Sequence, residues 1–402
     1  PVFIFDDQIL SRLPKDDQRV LFIHQELQRL KSEYQAHGSD LLIFHGNPSE
    51  LIPKIAKELA CEKVYTNRDY EPYALTRDQF IYQELEKSNI SFIGSKDHVI
   101  FEKNEVLKDN GLPYTIFTPY SRKWKAKLSD YFLKSYPSTA YLSHLSKCAE
   151  TSDCPSMEDL GFSDVQLFPF PERIVHDELV RAYQENRDFP IKNGTSKLSV
   201  HLRFGTISIR QLARQAHLNN ETFLNELIWR DFYQMIIYHF PHSVNGSFKK
   251  QYDKIVWEHN EQHFKSWCEG KTGYPLVDAG MRELNKTGFM HNRVRMVVAS
   301  FLTKHLLIDW RWGESYFAQK LMDFELASNI GGWQWAAGCG CDAAPYFRVF
   351  NPTAQQEKFD KQKQYIQKWV PEFGSSSYPQ PIVDHAFARD RVLTRFKQAL
   401  ND

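Results

Sequence analysis

Four short apolar runs, VFIF (2–5), LLIFHG (41–46), KVYTN (63–67) and ISFIGS (90–95), punctuate the first hundred residues. Runs of this length suit buried parallel strands. Between them the spacing becomes helical: Val20, Phe22, Ile23, Leu27 and Leu30 stripe 17–34, and further helical patterns cover 49–60 and 74–88. Such alternation predicts a doubly wound, Rossmann-like α/β domain over 1–130. No glycine-rich dinucleotide fingerprint follows any of the runs, so nothing here points to NAD. Residues 131–168 carry SKCAETSDCPS and little periodicity, which reads as a linker wrapped on the surface. From 172 onward the period is helical, over 172–188, 206–217, 220–240, 259–269, 275–286, 290–306, 314–328 and 353–369. Pro190, Pro241, Pro275 and Pro352 fall between these segments or at their starts. The expected fold class is α/β + α, the second domain being large, all-α and spanning 169–402. The chain opens without Met on PVFIF (1–5), as though entering a strand midway, so the α/β domain is expected to be incomplete at its start.

Composition adds three constraints. Aromatic residues reach 14% of the chain, enough for a large core and also for a site that stacks flat ligands. Formal net charge is zero, so any nucleic-acid surface has to be a local patch. The six cysteines (61, 148, 154, 268, 339, 341) lack paired metal-ligand spacing, so they read as reduced thiols of a cytoplasmic protein with no metal site. No stretch has the apolar length of a membrane span and no secretory signal pattern is present, so no membrane partner is expected.

The chemistry concentrates in Met322–Pro352, MDFELASNIGGWQWAAGCGCDAAPYFRVFNP. It is too glycine-rich for an ordinary amphipathic helix and too aromatic for a solvated loop. Gly331 and Gly332 let backbone come close to something flat. Alone, it reads best as a buried corner with tryptophans in the core. Upstream stand GTSKLSVHLRFGTIS (194–208), NELIWRDFY (225–233), GKTGYPLVDAGMREL (270–284) and MHNRVRM (290–296). Together, in this order, these motifs resemble the DNA photolyase/cryptochrome family, most closely its class I cyclobutane pyrimidine dimer photolyases. The resemblance implies FAD as cofactor, an all-α FAD-binding catalytic domain, and an antenna-type α/β domain before it.

Each motif also has a plain structural alternative. GTSKLS (194–199) would serve as a simple turn and N-cap, and its hydroxyls and backbone N–H groups also suit a diphosphate. By resemblance, Tyr183, Thr195, Ser196, Leu198 and Ser199 contact the FAD pyrophosphate, while Arg295 pairs with Asp323 against the flavin. Asn329 falls beside flavin N5. Glu325 stands where Asp is common, and Ile330 where a second Asn is common. On the helix 220–240, Glu226 and Trp229 are i, i+3 with Tyr233 one turn on, and Glu226 could equally pair with Arg230 at i, i+4. The resemblance instead places Glu226, Trp229, Tyr233, Asn292, Met296 and Trp335 around a flipped-out dimer. Asn292 stands where (6-4) photolyases carry a second His. Trp333, Trp310 and Trp257 match an electron-transfer chain from flavin to surface, though three tryptophans could as easily be core. Arg187, Arg230, Arg293 and Arg348 match arginines that face DNA phosphates, where a scattered Arg is otherwise solvated or ion-paired.

In NRDYEPYALTRD (67–78), Tyr73 and Ala74 stand where folate-binding members place an Asn–Glu pair. Folate is therefore disfavoured as a second antenna chromophore, whose identity stays open. The function implied is light-dependent repair of cyclobutane pyrimidine dimers by a monomeric deoxyribodipyrimidine photo-lyase acting on DNA. The alternatives are a blue-light receptor of the cryptochrome type and a (6-4) photolyase.

Overall fold

The computed structural model describes residues 1–147 and 152–401, which form two compact units. Cys148 lies outside the described residues. The other five cysteines are free thiols.

The first unit comprises 1–98, 130–171 and 204–211. Strand β1 (Val2–Asp6) leads into α1 (Gln18–Ala36), which returns the chain to β2 (Leu42–Gly46). β1 and β2 pair in parallel, Val2 opposite Leu42 through Asp6 opposite Gly46. Next come α2 (Pro48–Glu58), β3 (Lys63–Asn67), α3 (Pro72–Glu86) and β4 (Ser91–Ser95), and β3 pairs in parallel with β4. Asn47 starts α2 by accepting from the Ser49 N–H (3.0 Å), with Pro48 in the first helical position, where a missing N–H costs nothing. The core gathers Phe5, Val20, Leu21, Leu27, Leu41 and Ile43. Met157, Leu160 and Phe162 join it, so the expected surface linker is in part core. Two of these three side chains are one helical turn apart and reach the same apolar face.

The second unit comprises 99–129, 172–203 and 212–402 and is helical. Its principal helices are α4 (Phe117–Lys127), α5 (Glu221–His239), α6 (Pro275–Thr287), α7 (Asn292–Ser300), α8 (Trp310–Lys320), α9 (Leu326–Ala337) and α10 (His385–Asn401). One extended core runs through it, including Trp267, Val277, Met281, Val294, Val298, Phe301, Leu302, Trp310 and Trp333.

Several boundaries depart from the expected ones. The helix expected over 314–328 is two helices, α8 and α9, separated by Leu321–Glu325. The glycine-rich stretch is itself helical. A side chain at Gly331 would collide with the Tyr233 ring, so the glycine permits a close crossing of α9 on α5. Gly338, at φ +89°, ends α9 in the left-handed conformation. The helix expected over 353–369 is Pro352–Phe359 and Gln364–Trp369, the second begun by Asp360, which accepts from the Tyr365 and Ile366 N–H groups (3.1 and 3.0 Å). Only the short helices Asp177–Arg181 and Tyr183–Asn186 occupy 172–188, and α10 lies beyond the last expected helical segment.

Residues 99–129 cluster with the helices rather than with the strands. Asp231 on α5 is one anchor that holds them there. Its Oδ2 accepts from the Ile100 and Phe101 N–H groups (both 3.1 Å) and from the Trp124 indole N–H (2.9 Å), in full burial. Burial pushes its carboxyl up to about 6, against the hydrogen bonds that pull it down. With the folded pKa above the unfolded one, the unfolded chain binds fewer protons between pH ~4 and ~6. Ionisation of Asp231 therefore removes stability as pH rises through that window, by at most about 3 kcal/mol. Asp231→Asn keeps an acceptor for the three donors and lacks the titration. Denaturant titrations across that window should show the variant gaining on the parent as pH rises, and a pH-independent difference would contradict this account.

Candidate active site

Most of α5 is buried on every side, from Phe223 to Ile237. Glu226, Trp229 and Tyr233, spaced i, i+3, i+7, form a half-buried stripe. This stripe is one wall of a cavity of about 510 Å³ within the helical unit. Residues 183–202 supply a second wall with Tyr183, Arg187, Thr195, Ser196, Leu198 and Ser199, α7 a third with Asn292, Arg295 and Met296, and α9 a fourth with Ser328, Asn329, Trp333 and Trp335. Asp323 and Glu325, in the break between α8 and α9, close it.

The polar rim is organised by charge. Arg295 Nη2 meets both Asp323 oxygens (3.1 and 2.9 Å), its Nε donates to the Met290 carbonyl (2.7 Å), and Ser199 Oγ donates to Asp323 Oδ2 (2.6 Å). Asn329 Nδ2 donates to the Glu314 carbonyl and to Glu314 Oε1 (3.1 and 2.9 Å). That commits the amide nitrogen and leaves the carbonyl oxygen as the group Asn329 can offer the cavity. Burial pushes the Glu314 carboxyl up. His291 caps α7, its Nδ1 accepting from the Arg293 N–H (3.1 Å), and burial with nearby guanidiniums pushes it down to about 4, so it stays neutral.

The Glu226–Arg230 pair that sequence spacing allowed does not form. Glu226 instead meets Arg187 at 2.5 Å, and Arg230 meets Glu325 at 2.6 Å. Burial pushes the Glu226 carboxyl up, with Arg187 pulling it back. Arg230 corrects the expectation of a phosphate contact, because its side chain is 9% exposed and committed to Glu325. Arg293 lies off the cavity, held by Asp188 (2.6 Å) and stacked over Phe359 at 4.3 Å. Arg348 is exposed, its guanidinium 5.4 Å from the Phe350 ring. Trp333 reaches the cavity and packs edge-on against Phe317 (5.0 Å) and Trp267 (6.0 Å). Trp310 and Trp257 lie away from it, Trp310 under the Arg311 guanidinium (5.0 Å) and Trp257 edge-on to Phe396 (5.9 Å). In the first unit Tyr73 Oη donates to Asp6 (2.5 Å) and Ala74 is buried, so neither offers a folate ligand pair.

Sequence reasoning missed Glu314. Reading α8 and α9 as one helix hid the contact that Glu314 and Asn329 make between two separate ones. The donor set suits FAD. The cavity is of cofactor size, three hydroxyls and the turn around Lys197 (φ +54°) offer hydrogen bonds to a diphosphate, and the Arg295–Asp323 pair and Asn329 offer charged and amide groups to a ring edge.

A helical unit holding a polar-rimmed, aromatic-walled cavity defines a cofactor-binding protein. Residues 1–140 match the family described as DNA photolyase, and 223–377 the one described as the FAD binding domain of DNA photolyase. The chain is 36% identical to the deoxyribodipyrimidine photo-lyase of Halobacterium salinarum, over 100% of this chain and 92% of that protein. It resembles the crystal structure of a bacterial class III photolyase from Agrobacterium tumefaciens with a TM-score of 0.87 at 30% identity, covering 100% of this chain and 92% of the other. The Synechocystis cryptochrome superposes with a TM-score of 0.84 at 26% identity, over 98% and 92% of the two chains. The chain belongs to the DNA photolyase/cryptochrome family.

The Arg230–Glu325 pair makes a direct prediction. Arg230→Ala leaves a buried carboxylate without its cation and should cost about 3–5 kcal/mol, whereas Arg230→Met with Glu325→Leu should recover most of that. Chemical denaturation checks both. A single variant as stable as the parent would show the pair to be inert.

Proposed function

We propose that this chain is a deoxyribodipyrimidine photo-lyase that repairs cyclobutane pyrimidine dimers in DNA by light, with FAD as its cofactor. The unit of 1–98, 130–171 and 204–211 acts as the antenna-type domain, and the helical unit, which takes 99–129 as well as 172–203 and 212–402, as the FAD-binding catalytic domain. The observation that carries this reading is that one cavity is lined both by the cofactor set (Tyr183, Thr195, Ser196, Leu198, Ser199, Arg295, Asp323, Asn329) and by a base-binding set (Glu226, Trp229, Asn292, Met296, Trp335). FAD, when bound, supplies the light-absorbing centre and the electron that splits the dimer. The chain's residues bind, orient and exclude water.

Thr195, Ser196 and Ser199 would hold the diphosphate. Arg295, fixed by Asp323, and Asn329, fixed by Glu314, would hold the ring edge. A dimer reaches the cavity only if it leaves the duplex stack, which costs less for a lesion whose pairing is already weakened. Trp229 and Trp335 offer flat apolar walls to its bases, and Met296 a polarizable filler. Glu226 offers a carboxyl to a base edge, and Arg187 beside it keeps that carboxyl in place. Arg348, exposed on its loop, is the arginine of the four best placed for a phosphate. The identity of a second antenna chromophore stays open, with folate disfavoured because Tyr73 and Ala74 stand where folate-binding members place an Asn–Glu pair.

Blue light on the FAD-loaded protein with a thymine-dimer oligonucleotide tests the reading. Repair should be light-dependent, and a protein that binds FAD and repairs nothing is a receptor instead. Glu226→Ala should weaken dimer binding by at most about 1.5–3 kcal/mol, lower the number of dimers split per photon, and leave FAD content unchanged. Parental affinity and yield in that variant would remove Glu226 from the site. Binding should weaken steeply with salt, and Arg348→Ala should flatten the log–log slope by roughly one. The compensated double variant, Arg230→Met with Glu325→Leu, should leave that slope where it is, and a flattened slope there would restore Arg230 as a phosphate contact.

A further inference from the structure

Behind Trp229, outside the cavity, stands Phe117. The two rings are parallel within 3° and their centroids 3.7 Å apart. That face of the indole is closed to any other ring. Phe232 packs edge-on to the indole at 5.6 Å and Tyr233 tilts against it at 5.4 Å. Trp229 nevertheless lines the cavity, so what it presents there is not the face that Phe117 covers.

Full parallel overlap is the arrangement aromatic pairs favour least, offset and edge-on contacts being preferred. Something other than mutual attraction must therefore hold Phe117 there. Its position is set by the mounting of α4. Phe117 is the first residue of that helix, and its N–H is accepted by Asp342 Oδ2 at 3.0 Å, a carboxylate at a helix N-terminus. Asp342 comes from the loop after α9 and sits at φ +44°, a left-handed conformation that Asp tolerates better than most residues. Two turns on, the Trp124 indole N–H is held by Asp231 of α5 (2.9 Å). α4 is thus fastened at one end to the loop and at the other to the helix that carries Trp229.

We propose that Phe117 is a positioning residue for the lesion: clamped by Asp342, it fixes the Trp229 indole with one face turned to the cavity as a preset platform for a flipped pyrimidine. The inference rests on the dimer-repair reading above. A rigid aromatic surface gains more from stacking than one that must first be ordered, because the ordering cost is already met. Phe117 does not line the cavity; its ring meets Trp229 and, edge-on at 5.9 Å, Phe232, and its effect on the lesion passes through Trp229.

The test compares binding of two fluorescent single-stranded oligonucleotides, one carrying a single thymine dimer and one undamaged, to the FAD-loaded protein in the dark. Phe117→Leu should weaken dimer binding roughly tenfold, the scale of one mis-set base–aromatic stack. Binding of undamaged DNA, FAD content and melting temperature should stay near the parent's, and Phe117→Tyr should restore the dimer affinity. Asp342→Gly accepts the positive φ and removes the acceptor, so it should weaken dimer binding several-fold without touching the core. It also keeps the question open to test if Phe117→Leu does not fold. Parental dimer affinity in both variants overturns the proposal. So does a loss shared equally by damaged and undamaged DNA with a lowered melting temperature, which marks Phe117 as structural only. A parent protein with no preference for the dimer removes the repair reading itself, and the platform with it.

Discussion

A buried ion pair between neighbouring helices sets the shape of the site. Arg230 on α5 and Glu325, one residue before α9, are each almost wholly removed from water. A lone charge in either place would be prohibitively costly, so the two elements must stay in register. With α5 and the start of α9 locked together, Glu226, Trp229 and Tyr233 necessarily face Asn329, Trp333 and Trp335 across one cavity. Gly331 serves the same constraint from the other side, because α9 can approach the Tyr233 ring only where a side chain is missing.

The other face of α5 explains why α4 belongs to the helical unit. Asp231 follows Arg230 directly and points away from the cavity to gather Ile100, Phe101 and Trp124. One helix turn therefore holds two opposed polar anchors, one toward the cavity wall and one toward the helix supporting it. In an otherwise apolar environment each anchor is held by specific partners, three donors on Asp231 Oδ2 and the Glu325 carboxylate on Arg230, and such partners favour a single packing.

The α/β alternation was legible because strands and helices differ in the period of their apolar residues, and the runs at 2–5, 41–46, 63–67 and 90–95 carry it openly. The cavity's lining was legible through motif resemblance, down to Tyr183, Ser199, Glu226, Asn292 and Asn329. Pairing was not. Glu226 and Arg230 sit at ideal helical spacing, yet each finds its partner on another element, Arg187 and Glu325, and no one-dimensional pattern encodes that. The Leu321–Glu325 break carries neither Pro nor Gly, so nothing in composition separated α8 from α9 or exposed the Glu314–Asn329 contact. Gly331 and Gly332 argued against a helix by propensity, and close packing overrode that preference.

On this reading FAD and the lesion share one cavity. Electron transfer weakens steeply with separation, so fluorescence of the reduced, FAD-loaded protein is the most direct gauge of their proximity. Titrated in the dark with a thymine-dimer oligonucleotide, that fluorescence should fall in proportion to bound dimer, while undamaged DNA leaves it unchanged. Undiminished flavin fluorescence at saturating, demonstrably bound dimer would contradict the shared site.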